Sequence, residues 1–522
     1  MASRANLVNL DAMIKRADFA SEASDESLFE NVSTISVRDF TKGGLIGPSL
    51  RKPDFQRETN HWTPQQVVSL LECFTNGDLI PSVILWQSPT YLFVIDGGHR
   101  LSVLRAWIED DYGDGPLSHS YFGNEISKEQ RLLAERTRRL IAEKVGSWQH
   151  FQAKVENDGL DVAERKRVNA IISRGLPIQW VKGDADKAES SFFKINTKGT
   201  PLDSVEELLL KSRKRPISIA ARAVIRSGKG HKYWSAFPEN MAVRIESVAK
   251  DLHKTLFEPE IKRPIKTLDL PLGGSKGVRV SLQVLIDFML IANRNQQGMP
   301  KDVYGVPEDD SGEATVQALQ KGVRLANRVT GNDGGSLGLH PAVYFYGPSG
   351  RHSSPMFMGT MKVLGEKLAN NDPSFFRKFT KVRSELEKAL ILNKDLIATV
   401  LQKTLSSKRV DVYAAILEQT IASLDVGESV DDEFIVKASG LNGKLITGTA
   451  EVQGKSFSED IKSQAFIYSA LASAMKCPIC HGYLDPDKSV SYDHVIRLRE
   501  AGTASFDNCQ LTHPYCNQSV KN

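Results

Sequence analysis

Four of this chain's five cysteines fall within its last 46 residues, and no other feature restricts the fold as tightly. Cys477-Pro478-Ile479-Cys480 and His513-Pro514-Tyr515-Cys516 are two pairs, each with two residues between its members, separated by 32 residues. A tight turn lets both side chains of such a pair reach one ion. Two turns complete a tetrahedron of three thiolates and one imidazole, the donor chemistry of structural zinc. The competing reading makes them ordinary buried cysteines, with His481 rather than His513 beside any metal. Five cysteines in 522 residues exclude a disulfide scaffold. Cys509 is the spare, and Cys73 sits in a helical pattern as a core residue.

At 522 residues the chain exceeds what one hydrophobic core supports, so several domains are expected. Its 41% hydrophobic and 25% charged residues, with a mean hydropathy of -0.29, exclude disorder, collagen-like repeats and membrane spanning. The longest apolar stretch, Val284 to Ala292, is interrupted by Asp287, and the Met-Ala-Ser-Arg start lacks a signal peptide's apolar core. A cytoplasmic chain with no membrane contact is expected. A net charge of +4 neither demands nor excludes a polyanionic partner. From Leu208 to Lys232 there are eight Lys or Arg and no acid, followed by Tyr233 and Trp234. Such a run fits a segment that follows a phosphate backbone with an aromatic ring stacking on a base, or equally a solvated helix face with Arg222 and Arg226 at surface spacing.

Residues 1–125 read as mixed α and β. Ser33 to Val37 reads as a short strand. Thr63-Pro64-Gln65-Gln66 supplies an N-cap, a first-turn proline and a capping-box glutamine for a helix that Gly77 stops. Val83 to Trp86 and Tyr91 to Ile95 predict a hairpin, whose second strand runs into Asp96-Gly97-Gly98-His99-Arg100 and a further helix. Residues 126–425 are mainly helical in pattern, including Phe375, Phe379, Val382, Leu386 and Leu390 at helical spacing. Loops or boundaries are expected near 305–313 and 330–355, with Leu339 to Gly347 as core. A linker is expected over 426–458, and a terminal domain over 459–522 opens with a helix from Glu459 to Met475. Two glycines at a strand-to-helix junction let backbone amides approach a phosphate, which Arg100 could clamp while Asp96 holds a metal ion or a water. Alternatively Asp96 and Arg100 pair and the glycines only make a turn.

Between the cysteine pairs lies Tyr492-Asp493-His494-Val495-Ile496, then Asn508, and Asn517 directly follows the last cysteine. This order resembles the HNH (ββα-metal) nuclease motif, of the subset stapled by zinc. Arg497 stands where the family often has proline, Asn517 where many members have histidine, and His513 where a cysteine is more usual. The resemblance implies hydrolysis of DNA phosphodiesters. His494, with histidine's ordinary pKa near neutrality, would be the general base. Asp493 and Asn517 would offer hard oxygen ligands to one divalent ion, magnesium or manganese. Asn508 would hold the loop that orients His494. Taken alone, His494 reads equally as a zinc ligand or a surface histidine.

Phe55-Gln56-Arg57, Trp62, Gly77 with Pro81, and Ile95 to Leu101 form a second ordered set. It resembles the ParB/sulfiredoxin-like domain found in GmrSD-type restriction enzymes and in proteins of DNA phosphorothioation systems. The family hallmark reads Asp-Gly-Gln-(Gln or His)-Arg, and Gly98 stands at its first glutamine. A further signature runs through Phe192, Asn196, Gly199, Leu202 and Glu206. The resemblance implies nucleotide binding by Asp96, Gly97, Gly98, His99, Arg100, Gln56, Arg57 and Asn196, with or without hydrolysis of a nucleoside triphosphate. The expected protein is thus α+β: a ParB/sulfiredoxin-like α/β sensor, a largely helical middle completing it, and a C-terminal ββα-metal domain with a zinc knuckle. The implied activity is that of a modification-dependent, nucleotide-regulated HNH DNA endonuclease acting on modified phage DNA in antiviral defence. A duplex break needs two active sites or two visits, which is compatible with a homo-oligomer. The alternative is a non-cleaving DNA-binding regulator or sensor of a phosphorothioation-type system, whose zinc knuckle only contacts DNA.

Overall fold

A computed structural model describes residues 7–17, 19, 32–41, 43–44, 46–53, 56, 59, 62–122, 126–155, 157, 159–183, 185–198, 204–228, 232–275, 278–295, 297–441 and 457–521. Its backbone contacts divide the chain into two units, Met1–Arg213 with Lys229–Tyr233, and Lys214–Gly228 with Trp234–Asn522. The fold is mixed α+β.

In the first unit, Thr63 caps the helix Pro64–Asn76 through a reciprocal capping box with Gln66, and Gly77 ends it in the left-handed region at φ 87°. That helix buries Val67, Leu71 and Phe74. The sheet has six strands, β1 (Arg16–Ala17), β2 (Thr34–Ser36), β3 (Leu50–Pro53), β4 (Val83–Gln87), β5 (Leu92–Asp96) and β6 (Gly175–Trp180), in the order β1-β3-β5-β4-β6-β2. β4 and β5 form the expected antiparallel pair, while β3 lies parallel to β5 and β6 parallel to β4. Leu92, Phe93, Val94 and Ile95 are all buried because both faces of β5 are covered. Leu92 and Val94 join the main core with Leu101, Leu104 and Trp107 of the helix Gly98–Glu109. Phe93 and Ile95 pack on the other side with Trp86 and with Phe192 from the helix Ala185–Lys198. Phe192, singled out in the downstream signature, is therefore a core residue.

The second unit is built around the helix Pro216–Ile225, every residue of which is buried. It packs against Glu239–Phe257, Val278–Ala292 and Glu313–Val329. This corrects the reading of Arg222 as part of a solvated helix face. Arg222 is only 6% exposed, because Ile217, Ile219, Val224 and Ile225 carry the whole segment into the core. Trp234 is also wholly buried and its indole N–H donates to Glu246 Oε1 at 3.0 Å, so its ring is not offered to a base. The stretch Val284 to Ala292 lies in a helix, and no helix among the described residues is long and apolar enough to cross a membrane. Burial raises the pKa of Asp287, which accepts a hydrogen bond from Gln283.

Residues 330–340 have neither helix nor strand, as the loop reading expects, yet Ser336, Leu337, Leu339 and His340 are buried, and Ala342 to Tyr346 contribute to the core as expected. Within the segment expected as a linker, residues 426–431 are non-helical and the helix Asp432–Ala438 follows, burying Ile435 and Ala438; positions 442–456 lie outside the described residues. Residues 126–213 group with the N-terminal sheet, and the helices from 214 onward group with the cysteine segment. The last long helix, Glu459–Ala472, ends before Met475. Beyond it, β7 (Ser491–His494) and β8 (Cys509–Thr512) pair antiparallel, with Asp493 opposite Gln510 and His494 opposite Cys509, and a helical turn Cys516–Val520 completes a ββα unit.

Candidate functional site

Cys477, Cys480, His513 and Cys516 are buried and their donor atoms lie within 4.8 Å of one another. The turn between the first two is closed by hydrogen bonds from His481 N to Cys477 O at 2.8 Å and from Cys477 N to Gly482 O at 2.9 Å. His481 is exposed and stands outside the group. His513 Nε2 meets Tyr483 O at 2.9 Å, which leaves Nδ1 toward the sulfurs, 3.3 Å from Cys480 Sγ. Burial, then the Arg383 cation, lowers the pKa of His513 and favours the neutral ring that ligates metals. Cys477 is driven toward thiolate by hydrogen bonds from Cys480 and Cys516, while Cys480 is pushed up to about 11 because Cys477 takes the charge. Three thiols and a neutral, oriented imidazole in a dry pocket fit zinc.

The zinc turn is seated on the helix Pro373–Leu392. Arg383 and Glu387, each 1% exposed, form an ion pair at 2.8 Å. The guanidinium also donates to Leu337 O and to Gly338 O. The carboxylate accepts from the Tyr344 hydroxyl at 3.0 Å and from Tyr483 N at 2.7 Å. The carbonyl of that same Tyr483 receives His513, so one residue links the buried pair to the ligand. A side chain at Gly482 would collide with Arg383. Lys488 donates to Leu270 O and pairs with Asp269, and Tyr515 N donates to Ser336 O.

The nuclease-type residues share the ββα unit. Asp493 is 9% exposed, and its Oδ2 accepts from Gln510 Nε2 at 2.8 Å and Lys521 Nζ at 2.7 Å. His494 is half-buried at the end of β7, and its imidazole makes no hydrogen bond among the described residues. Asn508 accepts from Ile496 N at 2.6 Å and donates to Ile496 O and Thr503 O, closing the loop after His494. Asn517 Nδ2 donates to Ser491 Oγ at 2.8 Å and Tyr492 O at 3.2 Å. Of its two amide atoms, the oxygen is the one a hard cation would take. The Lys521 ammonium on Asp493 shows that this carboxylate accepts a cation. Gln510, Lys521, Arg383, Glu387 and Tyr483 were not singled out in sequence; only the strand register and the packed helix reveal them.

In the first unit, Asp96 ends β5, and Gly97, at φ 94°, turns the chain into the helix that starts at Gly98. A Cβ at Gly97 would press on Val83 and would strain this left-handed turn. Arg100 Nη2 bonds Asp96 Oδ2 at 2.6 Å and Ser82 O at 3.1 Å, so the acid and the base do pair. His99 stacks on Trp62 with centroids 5.4 Å apart. Gln56 lies against Gly98, and its Oε1 and Arg100 Nε are buried with no hydrogen-bond partner among the described residues. These orphaned atoms sit at the head of a helix whose N-cap glycine supplies no side-chain cap. Arg57, Phe55, Gly199 and Leu202, and the side chains of Asn196 and Glu206, lie outside the described residues.

Residues 37–213 match the family described as GmrSD restriction endonuclease, N-terminal domain, and residues 477–522 match the family described as HNH endonuclease. No curated protein and no solved structure matches the chain. A ββα unit with a zinc-type centre, together with these matches, defines a nuclease of the restriction and defence kind. More particularly, the chain has a GmrSD-like fused architecture, with a GmrSD-type N-terminal domain and an HNH endonuclease domain on one polypeptide.

Proposed function

We propose that this chain is a modification-dependent, nucleotide-regulated DNA endonuclease of antiviral defence, acting in the cytoplasm with its cutting centre at Asp493, His494, Asn508 and Asn517. The observation that carries the reading is the ββα unit itself: an imidazole with no hydrogen bond among the described residues beside a cation-accepting carboxylate, on a loop tied by Asn508. His494 takes a proton from the attacking water. Asn508 keeps the backbone after His494 in place, so the ring faces its water without reorganising. Asp493 and the Asn517 amide oxygen would hold one magnesium or manganese ion, which supplies charge neutralisation at the scissile phosphate and the leaving oxygen. The four buried zinc-type ligands keep both strands and the Asn517 turn in register.

For the N-terminal domain, the orphaned Gln56 Oε1 and Arg100 Nε at an uncapped helix head fit a bound nucleotide or modified base. Gly98 contributes no side chain there, so binding that licenses the nuclease is the role assigned, with nucleoside triphosphate hydrolysis as an accessory to it. The test is nicking of unmodified, hydroxymethylated, glucosylated and phosphorothioated plasmid, with and without nucleotide, by the wild-type chain and His494→Ala. The variant should lose cleavage by roughly a hundredfold or more while keeping its zinc. Equal cutting by both proteins would move the chemistry elsewhere. Tight binding without cutting by the wild type would favour the regulator.

A further inference from the structure

We propose that Lys521 is a resident counter-cation of the divalent-metal seat, whose ammonium holds the place on Asp493 that the ion takes and must leave for the ion to bind. The inference rests on the nuclease reading of Asp493 and goes beyond it by assigning a regulator of metal loading.

A carboxylate as buried as Asp493 is unfavourable unless a positive or hydrogen-bonding group answers it. Its Oδ2 has one neutral donor, Gln510 Nε2, and one cation, Lys521 Nζ at 2.7 Å. The same ammonium donates to the backbone carbonyl of His494. The two acceptors are oxygens of neighbouring residues on β7, and hard oxygens are what a magnesium or manganese ion demands. Lysine and metal therefore compete for the Asp493 carboxylate, and their like charges disfavour holding both there at once.

The location of Lys521 suits such a role. It follows the turn Cys516–Val520, and its backbone N–H returns to Cys516 O at 3.1 Å, so the stem starts beside the zinc-type centre. The side chain is 17% exposed, and its flexible methylenes let the charged head swing into water when displaced. The seat is thereby neutral and folded before metal arrives, and metal occupancy depends on outcompeting an attached cation.

The test uses the full-length, zinc-loaded chain, with Mn²⁺ binding read by electron paramagnetic resonance of the free ion. Lys521→Met should bind Mn²⁺ roughly tenfold more tightly than wild type, through loss of the competing charge. The metal concentration giving half-maximal plasmid nicking should fall by a similar factor. Lys521→Gln serves as a second variant should the first misfold, as judged by zinc content. Unchanged or weaker Mn²⁺ binding in both variants overturns the proposal. So does a loss of nicking at saturating metal with unaltered Mn²⁺ affinity, which would make Lys521 a participant in the chemistry instead. Asp493→Asn must abolish Mn²⁺ binding and leave the free-ion signal at full intensity; if it does not, the seat is misplaced and the proposal falls. If Mn²⁺ binds through Asp493 and tightens in Lys521→Met while no DNA is cut, the counter-cation stands and the nuclease reading fails.

Discussion

Asn508 is buried and uses its whole carboxamide on the backbone after His494, accepting from Ile496 N and donating to Ile496 O and Thr503 O. Its truncation removes three hydrogen bonds that tie the Ile496 N–H and the Ile496 and Thr503 carbonyls together. Asn508→Ala should therefore cost about 1–3 kcal/mol of stability in the terminal region and lower cleavage, with zinc retained. Urea unfolding beside a nicking assay checks this; full activity at reduced stability would remove Asn508 from the positioning of His494. Asp493, His494, Asn508 and Asn517 were marked by the resemblance of their order to the HNH motif, because all four lie in or directly after the short stretch between the ligand pairs. Gln510 and Lys521 were invisible there. Gln510 matters only once the register sets it opposite Asp493, and Lys521 only once the last turn folds back on β7.

The zinc turn and the helix Pro373–Leu392 behave as one element joined by Arg383, Glu387 and Tyr483. Removing the cation strands a buried carboxylate, so Arg383→Met should destabilise the second unit by about 3–5 kcal/mol. It should also speed loss of zinc to a chelator, because Tyr483 no longer holds His513 firmly. Scanning calorimetry and chelator kinetics read the two effects; a wild-type zinc off-rate in this variant would uncouple the helix from the metal centre. In sequence, Arg383 and Glu387 show the i,i+4 spacing of an ordinary surface pair. Phe379, Val382, Leu386 and Leu390 were legible as the buried stripe, but a spacing rule does not tell an exposed ion pair from one enclosed by a second element. The same limit applied to Arg222, read at surface spacing and found in the core.

Across the second unit, buried histidines set the response to acid. Burial, aided by Lys394 and Arg383, lowers His340 to about 3, and burial lowers His352 to about 4. The unfolded chain protonates these rings near 6.5, so between that pH and 4 it binds protons that the folded chain refuses, and stability falls as pH falls. Going from pH 7 to pH 5 costs about 2 kcal/mol per histidine. Asp485 opposes this. Burial raises it to about 6, so its neutral form is regained in the same interval and returns about 1 kcal/mol. The histidines win, and the urea midpoint should drop between pH 7 and pH 5; a rise would show that Asp485 dominates. What the sequence determined by itself was the local chemistry: the donor set of the zinc site, the order of the nuclease residues, the capped helix at Thr63 and the strand-to-helix junction at Gly97. Each is encoded by neighbours a few positions apart or by a motif with short spacing. Only the tertiary structure decided where those parts are held. The bonds that seat the zinc turn join Tyr483 to Glu387 across 96 residues and Lys488 to Leu270 across 218, and pairings over such separations follow from packing of whole helices, not from any pattern along the chain.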